Sequence, residues 1–361
     1  MMTTDPVLDS PDIRARLDPS GMRERIAGLA DQCRRAWEQS RAFPWPPLRP
    51  HVERVAVLGM GGSAIGGDLL ADLASHEGAV PVTVVRDYSL PPEVDSHTLA
   101  IASSYSGETE ETLAATEEAV HRGAQVVAVT SGGTLAKRCQ EMGLPWFRVD
   151  YSGEPRCALG YSFVVPLALM CLRSIMADKA KDMEEALSLL ERQSAQYRHD
   201  VPIGQNPAKS LARELHGKPI VIYGGGLLSG AARRWKTQFN ENAKAWAFYE
   251  LLPEAHHNSV VGYSHPLSIG PEVIALLLRP ATVHPRLALR YEITGELLDR
   301  ACVAHHVVEA QGRSALAQVL STVFLGDYAS YYLALLYGVD PSPVAAVDYL
   351  KGRLSKREGA R

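Results

Sequence analysis

Apolar positions along this chain first follow a helical period and then change rhythm. Met22, Ile26, Leu29, Cys33 and Trp37 fall on one stripe and predict a packing helix over 21–40, which the proline-rich piece Phe43-Pro44-Trp45-Pro46-Pro47 ends. Short apolar runs then take over at 54–58, 82–85, 98–102, 125–130 and 146–149, separated by amphipathic helices. This βαβ alternation predicts one parallel sheet with helices on both faces. A long helical region over about 161–195 bridges to the second half. There Pro219-Ile220-Val221-Ile222-Tyr223-Gly224-Gly225-Gly226 faintly echoes 55–62, and strand-like runs recur at 246–251, 273–278 and 303–308, a second α/β unit. Leu316 to Tyr337 predicts a long apolar helix, whose Tyr328, Tyr331 and Tyr332 are assigned to core or dimer packing rather than to a ligand.

A length of 361 residues suits two domains of about 100–200 residues each. The expected division is an N-terminal helix and linker over 1–50, a first α/β domain with its bridging helix over 51–200, and a second with a C-terminal helix over 201–361. Apolar residues at 46% and charged residues at 22% are ordinary for a globular chain. A net charge of −4 offers nothing to nucleic acid. No segment is read as apolar for long enough to span a membrane. The N-terminus Met1-Met2-Thr3-Thr4-Asp5 lacks the basic and apolar regions of an export signal, so a cytoplasmic protein is expected. Five cysteines, Cys33, Cys139, Cys157, Cys171 and Cys302, are odd in number and show no C-x-x-C spacing, which points to reduced thiols.

Chemistry concentrates at two strand-to-helix turns. Ser103-Ser104-Tyr105-Ser106-Gly107-Glu108-Thr109-Glu110-Glu111-Thr112 joins the strand at 98–102 to a helix beginning near Leu113. Such a turn aims unpaired backbone N–H groups and the positive end of the helix dipole at one spot, and small hydroxyls add neutral donors: a phosphate seat. A plain capping box would use the same residues. The second turn, Gly59-Met60-Gly61-Gly62-Ser63-Ala64-Ile65-Gly66-Gly67, favours the seat, because its glycines let backbone approach a ligand and Ser63 adds a hydroxyl. Gly59-x-Gly61-x-x-Ala64 also satisfies a loose dinucleotide fingerprint, but Asp87 lies further along than the about 20 residues that scheme sets for its ribose acid.

The motifs at 59–67 and 103–113 together resemble the sugar-isomerase (SIS) domain. The whole chain, over roughly 20–355, resembles the bifunctional phosphoglucose/phosphomannose isomerases, which carry two such domains. Pro155-Arg156-Cys157-Ala158-Leu159-Gly160-Tyr161, Asn240-Glu241-Asn242-Ala243-Lys244, Pro253-Glu254-Ala255-His256-His257-Asn258 and Lys351 fit that narrower family. The resemblance implies two tandem doubly wound parallel-sheet domains, flavodoxin-like sandwiches, with a C-terminal helical segment. It implies an aldose–ketose isomerase acting on a hexose 6-phosphate, glucose 6-phosphate or mannose 6-phosphate against fructose 6-phosphate, with neither metal nor cofactor. Gly61, Gly62, Ser63, Ser104, Ser106 and Thr109 would hold the phosphate and substrate. Glu241 would be the base that moves a proton between C2 and C1 through an enediolate, Arg156 would reach the substrate oxygens, and His257 and Lys351 would serve ring opening. All of this chemistry is expected at the carboxyl ends of the strands, with the phosphate seat in the first unit alone.

Two positions depart from the family pattern. Glu108 replaces the usual Asn and puts a carboxylate near the phosphate seat unless its side chain turns away. His256 also replaces an Asn, and the catalytic role goes to His257 because Asn258 follows it. The pairs His256-His257 and His305-His306 are poorly spaced for one metal ion. A non-catalytic phosphosugar sensor and an isomerase of another sugar phosphate remain as alternatives. The resemblance also implies a homodimer in which His257 crosses the interface to Glu241, Arg156 and Ser63 of the other chain. The 316–337 helix carries more apolar and aromatic surface than one face needs, which suits burial against a second copy, with burial inside one subunit as the alternative.

Overall fold

The computed structural model describes residues 5–358. Three helices, α1 (Pro11–Leu17), α2 (Met22–Ala27) and α3 (Leu29–Ala42), precede the first sheet. Then come β1 (Arg54–Leu58), α4 (Gly61–Glu77), β2 (Val82–Val85), β3 (Thr98–Ser103), α5 (Glu110–His121), β4 (Gln125–Thr130), α6 (Gly133–Glu141) and β5 (Trp146–Arg148). Two bridging helices, α7 (Leu159–Leu172) and α8 (Ala180–Tyr197), lead to α9 (Pro207–Leu215), β6 (Ile220–Gly225), α10 (Ser229–Glu241), β7 (Ala247–Leu252) and β8 (Ile274–Arg279). The chain closes with α11 (Pro285–Arg300), β9 (Ala304–Glu309), α12 (Ala315–Leu336) and α13 (Ala345–Glu358).

Both sheets are parallel, ordered β2-β1-β3-β4-β5 and β7-β6-β8-β9. The second is the first wound again without its fifth strand, as the echo of 55–62 at 219–226 predicts. Every predicted strand lies within one residue of the observed one at either end. The inner strands are buried on both faces, so their apolar runs are continuous and easily read: all of Thr98–Ser103 is buried, as are Val55 to Leu58.

The helices depart more from expectation. The stripe at 21–40 is buried at all five positions, but Gly28 divides it into α2 and α3, and α1 ahead of them had no expected counterpart. The 161–195 region likewise divides into α7 and α8. α12 corrects two expectations. Its 22 residues are long and apolar enough to cross a membrane, contrary to the sequence reading, yet 89% of its most apolar 18-residue window is buried inside the protein. It also offers no face to a second copy: it packs against α2, α8, α9 and α10, with Tyr328, Tyr331 and Tyr332 all in the core. A helix that is apolar all round belongs in the middle of a fold, and this one is the central post of the molecule.

α10 runs back from the carboxyl end of β6 to the start of β7, where Ile220 N–H donates to Trp246 O at 3.0 Å. Its last residue, Glu241, therefore stands at the amino edge of the second sheet, not the carboxyl edge expected. α10 packs against α4 at Gly230, where a Cβ would sit 3.0 Å from Asp68 backbone and side-chain carbon. This close crossing brings the amino edge of the second sheet to the carboxyl edge of the first.

Candidate active site

An open cleft of about 500 Å³ lies where those two edges meet. Gly61, Gly62, Ser63, Ser106, Thr109, Arg156, Glu241 and Lys351 line it together, with Met60, Tyr105, Glu111, Pro155, Val344, Val347 and Asp348. Eight of the ten side chains and glycines singled out from the sequence thus converge. Ser104 and His257 do not.

The candidate phosphate seat is built from backbone first. Gly59 and Gly107 admit close neighbours: a Cβ at Gly59 would lie 2.7 Å from Ser103 O, and one at Gly107, whose φ is +71°, would collide with Gly132 O. The turn is pinned to the next strand by Ser131 N–H, donating to Tyr105 O at 3.0 Å. Three hydroxyls then face the cleft, each already accepting one bond from the protein: Ser63 Oγ from Tyr105 N–H (3.1 Å), Ser106 Oγ from Glu108 N–H (3.2 Å) and Thr109 Oγ1 from Ser104 Oγ (3.1 Å). A hydroxyl has one hydrogen to donate, and in all three it remains available to an anion. Neither Met60 nor Thr109 caps its helix with a side chain, so both helix starts at the cleft are left without a side-chain cap.

Ser104 acts one layer back. It is buried, donates to Thr109 and accepts Gly107 N–H at 3.1 Å, which shapes the turn without lining the cleft. Glu108 does turn away: its carboxylate accepts from Thr134 N–H at 2.9 Å and Thr134 Oγ1 at 2.8 Å, at the N-terminus of α6. Those bonds, the side-chain one foremost, hold its carboxyl below the usual range and satisfy its charge outside the seat.

Arg156 and Glu241 pair within the same cleft. Arg156 is 4% exposed, and its guanidinium is held on all sides: Nε donates to Asn242 Oδ1 (2.7 Å), Nη2 to Pro341 O and Ser342 O (2.8 Å each), and Nη1 to Glu241 Oε2 (3.3 Å). α12 supports this from below. Asp327 receives Arg234 at two points, 3.1 and 2.7 Å, and Gln238 at 3.0 Å, while Arg234 Nη2 reaches on to Arg156 O at 3.1 Å. Ser330 accepts from Asn242 Nδ2 at 2.9 Å. Burial raises the Asp327 carboxyl against the pull of Arg234. Of these supports only Asn242 falls in a sequence motif, although Asp327 is the one charged residue in an otherwise uncharged helix, and a charge so placed needs a buried partner.

The two adjacent histidines part company. His256 Nδ1 accepts from Arg290 at 3.0 Å and Nε2 meets Thr294 Oγ1 at 2.8 Å, so the ring is neutral and structural, its pKa lowered by burial and then by Arg290. His257 is exposed, at the carboxyl end of β7. His305 and His306 turn to different carboxylates, Asp299 and Glu214. Among the described residues no three His, Cys, Asp or Glu side chains are grouped to hold a metal ion.

Comparison with known proteins agrees with this geometry. Residues 51–169 match the SIS domain model, and residues 204–354 match the model of the bacterial phospho-glucose isomerase C-terminal SIS domain. The bifunctional phosphoglucose/phosphomannose isomerase of Caldicellulosiruptor bescii is 37% identical over 93% of this chain and 99% of its own. That of Aquifex aeolicus is 36% identical over 87% and 95%. The crystal structure of a hypothetical protein from Thermus thermophilus shares the fold, with a TM-score of 0.74 at 20% identity over 98% of this chain and 94% of that one. With two SIS sheets in one chain and relatives aligned end to end at this identity, the chain belongs to the bifunctional phosphoglucose/phosphomannose isomerase family.

Proposed function

We propose that the protein interconverts glucose 6-phosphate and mannose 6-phosphate with fructose 6-phosphate. The observation that carries this is the pairing of Glu241 with Arg156 in the same cleft as three hydroxyls and two helix N-termini. Ser63, Ser106, Thr109 and the amides at Gly61 and Gly62 take the phosphate. Glu241 removes the C2 proton from the open-chain aldose and returns it at C1, while Arg156 stabilises the enediolate oxygen. The two aldoses differ only at C2, the centre that becomes planar in the enediolate, which is why one site can serve both. Lys351, at the cleft mouth on α13, is assigned to ring opening. The division of labour between units 51–200 and 201–361 follows: phosphate in the first, base in the second. Five unpaired cysteines suit a reducing cytoplasm.

The ring-opening partner His257 is supplied, in this reading, by a second copy in a homodimer. Glu241 stands at one end of the second sheet and His257 follows the other end of β7, whose six residues span about 17–20 Å. His257 therefore has no short route to its own Glu241. Exposed Phe248 on the edge strand β7, at 50%, and Trp246 just before it, at 75%, supply apolar surface for a partner.

The deciding experiment assays purified protein with glucose 6-phosphate and with mannose 6-phosphate, following fructose 6-phosphate. Turnover of both is expected. A folded protein that turns over neither overturns the reading.

A further inference from the structure

We propose that Lys244 is a positioning residue for the isomerisation, holding the end of α10 that carries Glu241 to the root of α13, the helix that carries Lys351. This rests on the isomerase reading above.

Lys244 adopts a left-handed backbone, φ +55°, three residues after Glu241. For a residue with a Cβ that conformation is costly and persists where the surroundings dictate it. It folds the side chain back so that Nζ meets four carbonyl oxygens. Two belong to the end of α10, Glu241 O at 2.9 Å and Asn242 O at 3.2 Å, and two to the chain before α13, Asp340 O at 2.8 Å and Pro341 O at 3.1 Å. An ammonium at a helix C-terminus is favourable by itself. Here it does more, because Arg156 takes Pro341 O and Ser342 O from the other side. Two cations thus consume three consecutive carbonyls, residues 340–342.

α13 needs that anchor. Its described side chains from Ala345 to Leu354 are all exposed, including Val347, Tyr349, Leu350 and Leu354 at 41–69%. With so little packed against it, the helix takes its direction from its root. Lys351 lies six residues beyond Ala345, about 9 Å along the axis at 1.5 Å per residue, so a tilt of about 10° at the root displaces its Cα by about 1.5 Å. A displacement of that size is enough to spoil a reacting geometry. The phosphate seat on α4 and α5 shares none of these bonds, so binding of the phosphate is expected to be independent of Lys244.

The test compares wild type with Lys244→Met, which keeps length and removes the donors, by steady-state kinetics on both hexose 6-phosphates and by the rate of tryptic cleavage after Lys351 and Arg353. Expected are a fall in kcat of about 10-fold or more with KM within about twofold, and faster cleavage in α13 with cleavage after Arg122 unchanged. Unchanged kcat overturns the proposal, and so does a proportional rise of cleavage at all sites, which marks general loosening. Inactive wild type would instead sink the isomerase reading, while the cleavage comparison still decides the clamp. Lys244→Gln, a milder change, serves the same measurements if the Met variant does not accumulate.

Discussion

Gly62 is where packing and catalysis can be separated most cleanly. It lies in the first turn of α4, and a Cβ added there would sit 2.8 Å from Arg156 N, 2.9 Å from Arg156 Cα and 2.9 Å from Pro155 C. All three are backbone atoms, and ordinary contact begins at 3.4 Å, so the 155–156 segment must retreat by about 3.4 − 2.8 = 0.6 Å. Arg156 cannot follow without stretching bonds of 2.7 and 2.8 Å to Asn242, Pro341 and Ser342. For stability, Gly62→Ala gains up to about 1 kcal/mol of helix propensity and loses about 1–3 kcal/mol to overpacking, a small net loss. For turnover, misplacing a reacting group by about 1 Å can cost about 100-fold, so a 0.6 Å shift should lower kcat by about 10-fold or more with KM less affected. Gly78→Ala is the contrast. There φ is +68° and nothing lies within 4 Å, so strain of about 1–2 kcal/mol should appear in the melting temperature and not in kcat. Thermal melts and steady-state kinetics on the two variants decide it. Gly62→Ala with wild-type kcat would refute the claim that Arg156 is held in place by this contact.

Glu241→Gln should lower kcat by at least about 100-fold with KM little changed, and mixing it with His257→Ala under subunit exchange should restore up to about a quarter of wild-type activity, the share expected of randomly formed heterodimers with one intact site. No recovery despite proven exchange would place His257 elsewhere. Asp72 accepts Gly230 N–H between α4 and α10, and burial, the largest influence, pushes its carboxyl up from the usual 3.8 to about 7. Between those values the folded chain keeps a proton that the unfolded chain has lost, so stability should fall as pH rises from about 4 to about 7 and stay level above. Asp72→Asn should flatten that slope and stabilise the protein at pH 8 by at least about 1.4 kcal/mol, the equivalent of one pKa unit, in denaturant melts. Equal slopes in the two proteins would count against the raised carboxyl.

The sheets were legible because each inner strand is buried on both faces and announces itself as an unbroken apolar run, as Val55 to Leu58 does. Ser63, Ser106 and Thr109 were legible for a related reason: a turn between a parallel strand and a helix faces one direction, so its small polar residues share a target. The supports were harder to read. Ser104 belongs to the same motif as Ser106, and only the burial of its hydroxyl separates shaping the turn from binding. Glu241 was legible as a motif, but which sheet edge it occupies depends on the direction of α10, a property of the winding and not of the local residues. The surplus apolar surface of α12 fits an interface and an interior equally well by composition, and its neighbours α8, α9 and α10 decide for the interior.

Two arginine–carboxylate pairs sit side by side at this cleft, and their geometries differ. Arg234 meets Asp327 at two points, 3.1 and 2.7 Å, both side chains buried, and each neutralises the other. What Arg234 gives the site is placement, through its bond to Arg156 O. Arg156 meets Glu241 at one point only, 3.3 Å, and its other donors go to an amide and two carbonyls, which carry no net charge. Its positive charge is therefore shared with Glu241 but not cancelled, and the Glu241 side chain, 33% exposed, keeps an oxygen open to the cleft. A two-point pair here would be more stable and chemically idle, because the base would be tied up and the cation spent. In the proposed reaction the looser pair leaves Glu241 free to take a proton and Arg156 free to meet the oxyanion that the same proton transfer would create. Holding a loose pair in register demands support from elsewhere, and Asp327, Arg234, Asn242 and Ser330, none of which lines the cleft, form a bonded polar cluster beneath it that supplies such support.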